Sequence, residues 1–183
     1  EEIFIESDND NLISIKTSTS EFSVVSFPVE EFPKIGEKEE IKESLTFSRD
    51  IFRDMVRKTS FAASVDESKG ILVGILTEIG TEKVSMVALD GFRLALANEA
   101  MTSERENKFI ISAKIMNEIS KIITEDESDD DISILLGEKK ATFIIGSTEI
   151  VLRLMEGEFI KYNDIIPKDN TITVVTGKSM LLE

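Results

Sequence analysis

A chain of 183 residues that is 41% hydrophobic and 31% charged holds enough apolar material for a packed core and too much for a disordered tail. Its 36 acidic and 21 basic residues leave a net charge of −15, and it contains no Cys, His or Trp. Those absences exclude a disulfide framework, a thiol nucleophile, a Cys/His zinc or iron–sulfur site and a Ser-His-Asp triad. Zero Cys fits a reducing compartment. No apolar run reaches the length of a membrane span, and the start at Glu1-Glu2 has neither an initiator Met nor a signal-peptide pattern. The expectation is a soluble, cytoplasmic protein with no membrane partner. The start, and the close on Met180-Leu181-Leu182-Glu183 where a new helix could begin, read as a piece of something longer.

Leu12–Lys16 and Phe22–Val25 flank a polar turn at Thr17–Glu21, a hairpin pattern. Residues 30–43 then carry six Glu and three Lys with little to bury, and 34–44 is the candidate interdomain linker. From residue 45 to 61 the period changes: Ile51, Phe52, Met55, Val56 and Thr59 recur at three- and four-residue spacing, which predicts a helix, with Ser48 or Thr46 as its cap. Short strands are predicted at Ile71–Glu78, Val84–Leu89 and Phe92–Asn98, the last two joined by an Asp90-Gly91 turn, with a further strand at Lys108–Ile111. A second helix starts at Ser112 and buries Ile115, Met116, Ile119, Ile122 and Ile123. An acidic, solvated loop at Glu125–Asp131 precedes strands at Ile132–Leu136, Ala141–Ile145 and Glu149–Leu154. Strands outnumber helices and the connections resemble hairpins, so the class is α+β, an antiparallel sheet with helices on one face.

Catalytic signals are weak. Val174-Val175-Thr176-Gly177-Lys178-Ser179 looks like the end of a phosphate-binding loop, but the required upstream glycine is Ile172, and a strand-to-helix turn is the preferred reading. Asp129-Asp130-Asp131 offers hard ligands without the turn glycine or distal glutamate of a calcium loop, so a solvated loop is preferred. With 36 acids, no chosen carboxylate pair is informative. No catalytic residue, metal site or cofactor is expected.

The basic residues, by contrast, are unevenly placed. Arg49, Arg53 and Arg57 fall at i, i+4 and i+8, with Lys58 beside them, and so span about 80° of the first helix next to its apolar stripe. Lys114 and Lys121 share a face of the second helix. Two readings stay open: solvated helix surface laced with i,i+4 ion pairs, or two helices presenting cations to a polyanion through sequence-blind phosphate contacts. No aromatic platform accompanies them, which argues against single-strand stacking.

A family resemblance rests on Ser68-Lys69-Gly70-Ile71-Leu72-Val73-Gly74-Ile75-Leu76 followed by Val84 to Ala95, which contains Leu89-Asp90-Gly91-Phe92-Arg93-Leu94-Ala95. These segments resemble the R-x-x-L-x-G and T-D-G-x-R-L-A strands of the bacterial DNA polymerase III beta subunit family, the sliding clamps, with Gly74 and Gly91 at the family interval. Glu31-Phe32-Pro33, Ile111-Ser112-Ala113-Lys114, and Glu156-Gly157-Glu158-Phe159-Ile160-Lys161-Tyr162 with Ile166-Pro167 add collinear matches. The resemblance implies a DNA-clamp fold, with antiparallel sheets outside and two channel-facing helices per domain. It places the end of domain one at 1–33, the linker at 34–44, domain two at 45–164 and the start of domain three at 165–183.

It further implies a non-enzymatic polymerase processivity factor. The full-length protein would be a head-to-tail homodimeric ring around double-stranded DNA. Its partners would be the DNA polymerase III alpha subunit, the clamp loader and other proteins carrying a clamp-binding peptide. The implied DNA-facing residues are Arg49, Arg53, Arg57, Lys58, Lys69, Lys114 and Lys121. The implied peptide groove is Leu72, Leu89, Gly91, Phe92, Arg93, Leu94, Ile160, Asp164 and Ile165. Leu89 stands for the usual Thr, Ile160 for the usual Pro, and Asp164 where a basic residue can occur, which bears on peptide preference. Leu72 and Leu94 read equally well as core. The readings kept beside the clamp are a stand-alone peptide-binding module without a DNA role and a carboxylate- or metal-dependent hydrolase.

Overall fold

The computed structural model of the chain describes residues 2–7, 11–31, 39–103, 105–125 and 131–182. Three strands open it, β1 (Phe4–Ser7), β2 (Leu12–Lys16) and β3 (Glu21–Val25), paired as an antiparallel meander with Leu12 opposite Val25. Phe4, Ile5, Phe22, Val24 and Val25 of this meander are exposed.

The remaining elements form two four-stranded antiparallel sheets and two main helices. β4 (Glu43–Phe47) leads into α1 (Arg49–Thr59), followed by β5 (Gly74–Ile79), β6 (Lys83–Leu89), β7 (Leu94–Ala100) and β8 (Asn107–Ser112). Then come α2 (Ala113–Glu125), β9 (Ile132–Leu136), β10 (Lys140–Ile145), β11 (Thr148–Arg153) and a short α3 (Lys178–Leu182). One sheet runs β11-β10-β9-β4 and the other β7-β6-β5-β8. Helices α1 and α2 pack on each other and across the second sheet. The main core joins both sheets to both helices, with Phe52 edge-on to Phe47 and to Phe143 at centroid distances of 5.8 Å each.

The sheet β7-β6-β5-β8 is apolar on both faces, as period-2 side-chain alternation allows. Ile75, Ile79, Val84, Met86, Ala88, Phe109 and Ile111 point into the main core. Leu76, Val87, Leu89 and Ile110 point the other way and form a second cluster with Tyr162, flanked by Ile71, Leu72, Leu94, Met155 and Phe159. The segment after β11 thus folds back as a lid over that face, its Met155 amide donating to the Ile110 carbonyl at 2.8 Å.

Several sequence expectations need correction. Strand β4 is new: it covers the last residues of the segment expected as linker and residues 45–47, where the helical period is read, and the amide of the preceding Lys42 already donates to the Leu136 carbonyl. Its signal is the alternation of exposed Ser44 and Thr46 with buried Leu45 and Phe47. Ser48 is the N-cap residue of α1, but its side chain caps nothing; its carbonyl accepts from the Phe52 amide at 3.0 Å. Strand β5 begins at Gly74, not Ile71, because residues 67–73 form 3₁₀ turns. Asp66 starts them by accepting the Ser68 amide at 3.0 Å, and Gly70 breaks them at φ 56°. Strand β7 begins at Leu94, not Phe92, because the Asp90 carboxylate takes the amides of both Phe92 and Arg93. No strand precedes α3 across residues 171–177. Ile115 and Ile122 are only partly buried. Of the acidic loop, residues 126–130, with Asp129 and Asp130, lie outside the described residues, and Asp131 is exposed. Among the described residues no helix is long and apolar enough to cross a membrane.

Gly74 shows how tightly the lid is seated. A Cβ there would lie 2.5 Å from Ile110 Cγ2 and 2.8 Å from Met155 Sδ, so Gly74→Ala should destabilise the fold by about 1–3 kcal/mol through overpacking, read as a lower urea midpoint at unchanged m-value.

Candidate nucleic-acid interface and peptide groove

The cations of α1 stand where they do because Phe52, Met55, Val56 and Thr59 bury the helix's other side. The Thr59 hydroxyl is satisfied by the Met55 carbonyl at 2.8 Å. On α2, Met116, Ile119 and Ile123 are buried, leaving Lys114 and Lys121 exposed. Where the helices meet they wall a concavity of about 1020 Å³, lined among others by Arg53 and Arg57 of α1 and Lys114 and Lys121 of α2. The structure therefore brings four of the seven predicted DNA-facing residues into one surface.

The other three are placed differently. Arg49 is half-buried, and its Nη1 donates to the carbonyl of Ile123 at 3.5 Å. It links α1 to the C-terminal turn of α2, whose free carbonyls favour a cation. Lys58 is outside the lining of the concavity and pairs with Asp54 and, at 3.7 Å, with Glu99. Lys69 is exposed on the 3₁₀ segment.

The solvated-surface reading expects i,i+4 ion pairs; in the structure Lys58–Asp54 has that spacing, while Arg53–Asp50, Arg57–Asp54 and Lys121–Glu118 are at i,i+3. Arg53 pairs with Asp50 at 3.4 Å, Arg57 and Lys58 both pair with Asp54, and on α2 Lys121 pairs with Glu118 at 2.8 Å. Hydrogen bonds from Lys58 and then Arg57 hold the Asp54 carboxyl below its ordinary range, and the Asp54 bond raises Lys58. Among the described residues Lys69 and Lys114 make no ion pair.

The predicted groove residues fall into two groups. Leu72 and Leu94 are half-buried against the second cluster, while Leu89, 3% exposed, lies within it. Beside them the β6–β7 turn presents Gly91 at φ 97° and Phe92, whose ring is fully exposed. Asp90 organises this turn by accepting the Phe92 and Arg93 amides at 2.9 and 3.0 Å and Arg93 Nε at 2.9 Å. Those bonds, the Arg93 amide first, keep its carboxyl below the usual range. The Arg93 guanidinium also lies over the ring of Phe61, 5.9 Å from its centroid, a cation–π contact the sequence did not signal. Ile160 and Asp164 instead line a separate cavity of about 520 Å³ over β5 and β8, with Glu78, Lys108 and Phe159. Ile165 follows, about half exposed.

Tyr162 pins the lid between these two regions. Its hydroxyl donates to Glu78 Oε2 at 2.6 Å, and burial, then the Glu78 carboxylate, pushes its pKa up to about 12. Among the described residues no group of three or more acidic, His or Cys side chains is arranged to hold a metal ion.

The central domain of the DNA polymerase III beta subunit matches this chain over residues 46–161. A beta sliding clamp from Bacillus subtilis is 25% identical over 98% of the chain and 47% of its own length, and one from Chlamydia muridarum 28% identical over 98% and 49%. The chain thus spans about half the length of the curated relatives it matches. Among solved structures, a DNA polymerase III beta subunit from Eubacterium rectale superposes with a TM-score of 0.77 at 27% identity, covering 91% of this chain and 46% of that one. The Thermotoga maritima beta subunit gives 0.73 at 28% identity, covering 90% and 44%. The α+β arrangement described above is the sliding-clamp fold.

Because a raised tyrosine pKa favours the protonated hydroxyl in the fold, Tyr162 contributes stability that is complete below pH 10 and lost as pH rises through about 12. Tyr162→Phe should lower stability by about 1.5 kcal/mol at neutral pH, through loss of a bond to a charged acceptor, and should flatten the alkaline limb of a urea-midpoint-versus-pH curve.

Proposed function

The chain belongs to the DNA polymerase III beta-subunit family, and from that premise we propose that it is the middle of a sliding clamp, a non-enzymatic processivity factor that works in the cytoplasm. In this reading residues 1–33 end domain one, 45–164 form domain two and 165–183 begin domain three. β4 brings residues 43 and 44 into domain two as well, shortening the proposed linker of 34–44. The full-length protein closes head to tail as a homodimer around duplex DNA.

One observation carries the reading. In a chain of net charge −15, the two packed helices turn Arg53, Arg57, Lys114 and Lys121 into a single concavity. The lining also holds Asp50, Asp54, Glu67 and Glu118, so the concavity is charge-balanced in an otherwise acidic protein and repels a polyanion less. Contacts made by flexible side chains to phosphates alone carry no sequence information and permit sliding. Arg49, Lys58 and Lys69 flank this surface as secondary contacts. A topological tether needs no tight grip on the duplex.

The opposite face of the same sheet supports the partner-binding side of the proposal. Leu72, Leu89 and Leu94 form an apolar base, and Gly91, Phe92 and Arg93 stand exposed at its edge. That is the composition of a peptide site, apolar walls with a few polar groups that fix orientation. Ile160 and Asp164, in the separate cavity over β5 and β8, and the neighbouring Ile165 would form a second part of the site. Its ligands are short peptide segments of the polymerase alpha subunit, the clamp loader and other clamp-binding proteins.

The two faces should separate by mutation in the full-length protein. Replacing Arg53, Arg57, Lys114 and Lys121 together by Gln should abolish retention on nicked circular DNA and reduce the salt slope of duplex binding by about 1 to 3, with peptide affinity unchanged. Phe92→Ala should weaken binding of a clamp-binding peptide by about tenfold or more, in the range of interface anchor residues, with DNA retention unchanged. A stand-alone peptide module would lose nothing on removal of the four cations.

A further inference from the structure

The concavity that carries the proposed DNA contacts is not simply basic. Three of its four cations face an acid three residues earlier on the same helix: Arg53 with Asp50, Arg57 with Asp54, and Lys121 with Glu118. All three acids line the same concavity, as does Glu67. Asp54 differs from the other two in how fully it is engaged. Its two carboxylate oxygens are divided between Arg57, at Oδ1, and Lys58, at Oδ2, and its side chain is 35% exposed where that of Asp50 is 93% exposed. Lys58 is bracketed further by Glu99 of β7.

Helix support alone is a small part of what such pairs do, since the main core already holds α1 through Phe52, Met55 and Val56. The larger consequence is electrostatic. A phosphate approaching Arg57 or Lys58 meets a cation whose charge is already compensated within contact distance, and it must displace a carboxylate to make the same bond.

We propose that Asp54 is an internal competitor for DNA phosphate, holding Arg57 and Lys58 in ion pairs so that the duplex engages them only by exchange. This rests on the DNA reading above and deepens it. Low affinity is then built into α1 by a specific residue, in addition to the net charge of the chain. Lys114, which lines the same concavity and makes no ion pair among the described residues, is the contact that needs no exchange.

The test is duplex binding by the full-length protein, followed by fluorescence anisotropy of a short labelled duplex of arbitrary sequence across a salt series. Asp54→Asn keeps the shape and removes the charge. It should tighten binding about three- to tenfold at physiological salt and steepen the slope of log K against log salt by about one to two, as one or two freed cations engage phosphates. Asp54→Glu, which keeps the charge, should stay within about twofold of the parent. Glu149→Gln on β11 outside the concavity makes the same change in net charge and should have a much smaller effect. Equal tightening by Glu149→Gln and Asp54→Asn would overturn the proposal in favour of net charge alone. So would unchanged binding in Asp54→Asn while Arg57→Gln and Lys58→Gln weaken it. If Arg57→Gln and Lys58→Gln leave binding unaltered as well, the DNA-facing assignment of this end of α1 fails, and the competitor role falls with it.

Discussion

The structure depends on one sheet whose two faces are both covered. Strands β5 to β8 send Ile75, Val84, Met86 and Ile111 into the main core and Leu76, Val87, Leu89 and Ile110 into the second cluster. Along the second face the register places Leu96, Val87, Leu76 and Ile110 in one row across the sheet, and Asn98, Ser85, Glu78 and Lys108 in the next row of that face. The apolar row receives the lid, while the polar row supplies Glu78 to Tyr162. A sheet apolar on both sides must be covered on both sides, because each exposed row would leave a large apolar patch in water. Covering one face with α1 and α2, and the other with the lid, sets the proposed DNA-facing concavity and the proposed peptide groove on opposite sides of this sheet.

On the function proposed above, that arrangement would let one small domain serve two partners. The cations stand on helices whose inner sides are fixed by large side chains such as Phe52, Met55, Met116 and Ile119, all fully or nearly fully buried. Their outer sides can therefore carry charge at no cost to the core. The β6–β7 turn is rigid for a different reason: the Asp90 carboxylate satisfies two backbone amides and Arg93 together. It holds Phe92 in water, where the ring contributes nothing to the core.

Charge is distributed with the same economy of position. Several of the described cations pair with an acid, on the helices, in the Lys42–Glu138 pair and in the Lys139–Glu156 pair. Glu39 extends the pattern to backbone, accepting the Lys139 and Lys140 amides at 3.0 and 3.2 Å and so docking the segment before β4 onto the β9–β10 turn. Exposed pairs of this kind add little stability one by one.

By itself the sequence determined the α+β class, the hairpins, both main helices and the cationic faces, because period 2, period 3.6 and turn chemistry at Asp90-Gly91 are local properties. It also carried the family through collinear motifs around Gly74 and Gly91. Short-range patterns could not place β4, whose alternation of Ser44, Leu45, Thr46 and Phe47 becomes a strand only by pairing with β9, some ninety residues away in the chain. Nor could they separate Arg49 from Arg53 and Arg57, since all three share a helical face and only the end of α2 draws Arg49 into a structural contact. The same limit hid Phe61 beneath Arg93, and hid the burial of Leu89 as against the exposure of Phe92, its near neighbour in sequence. Local periodicity states which side of an element is apolar. What covers that side, and which charges meet across it, is decided by contacts between residues far apart in the chain.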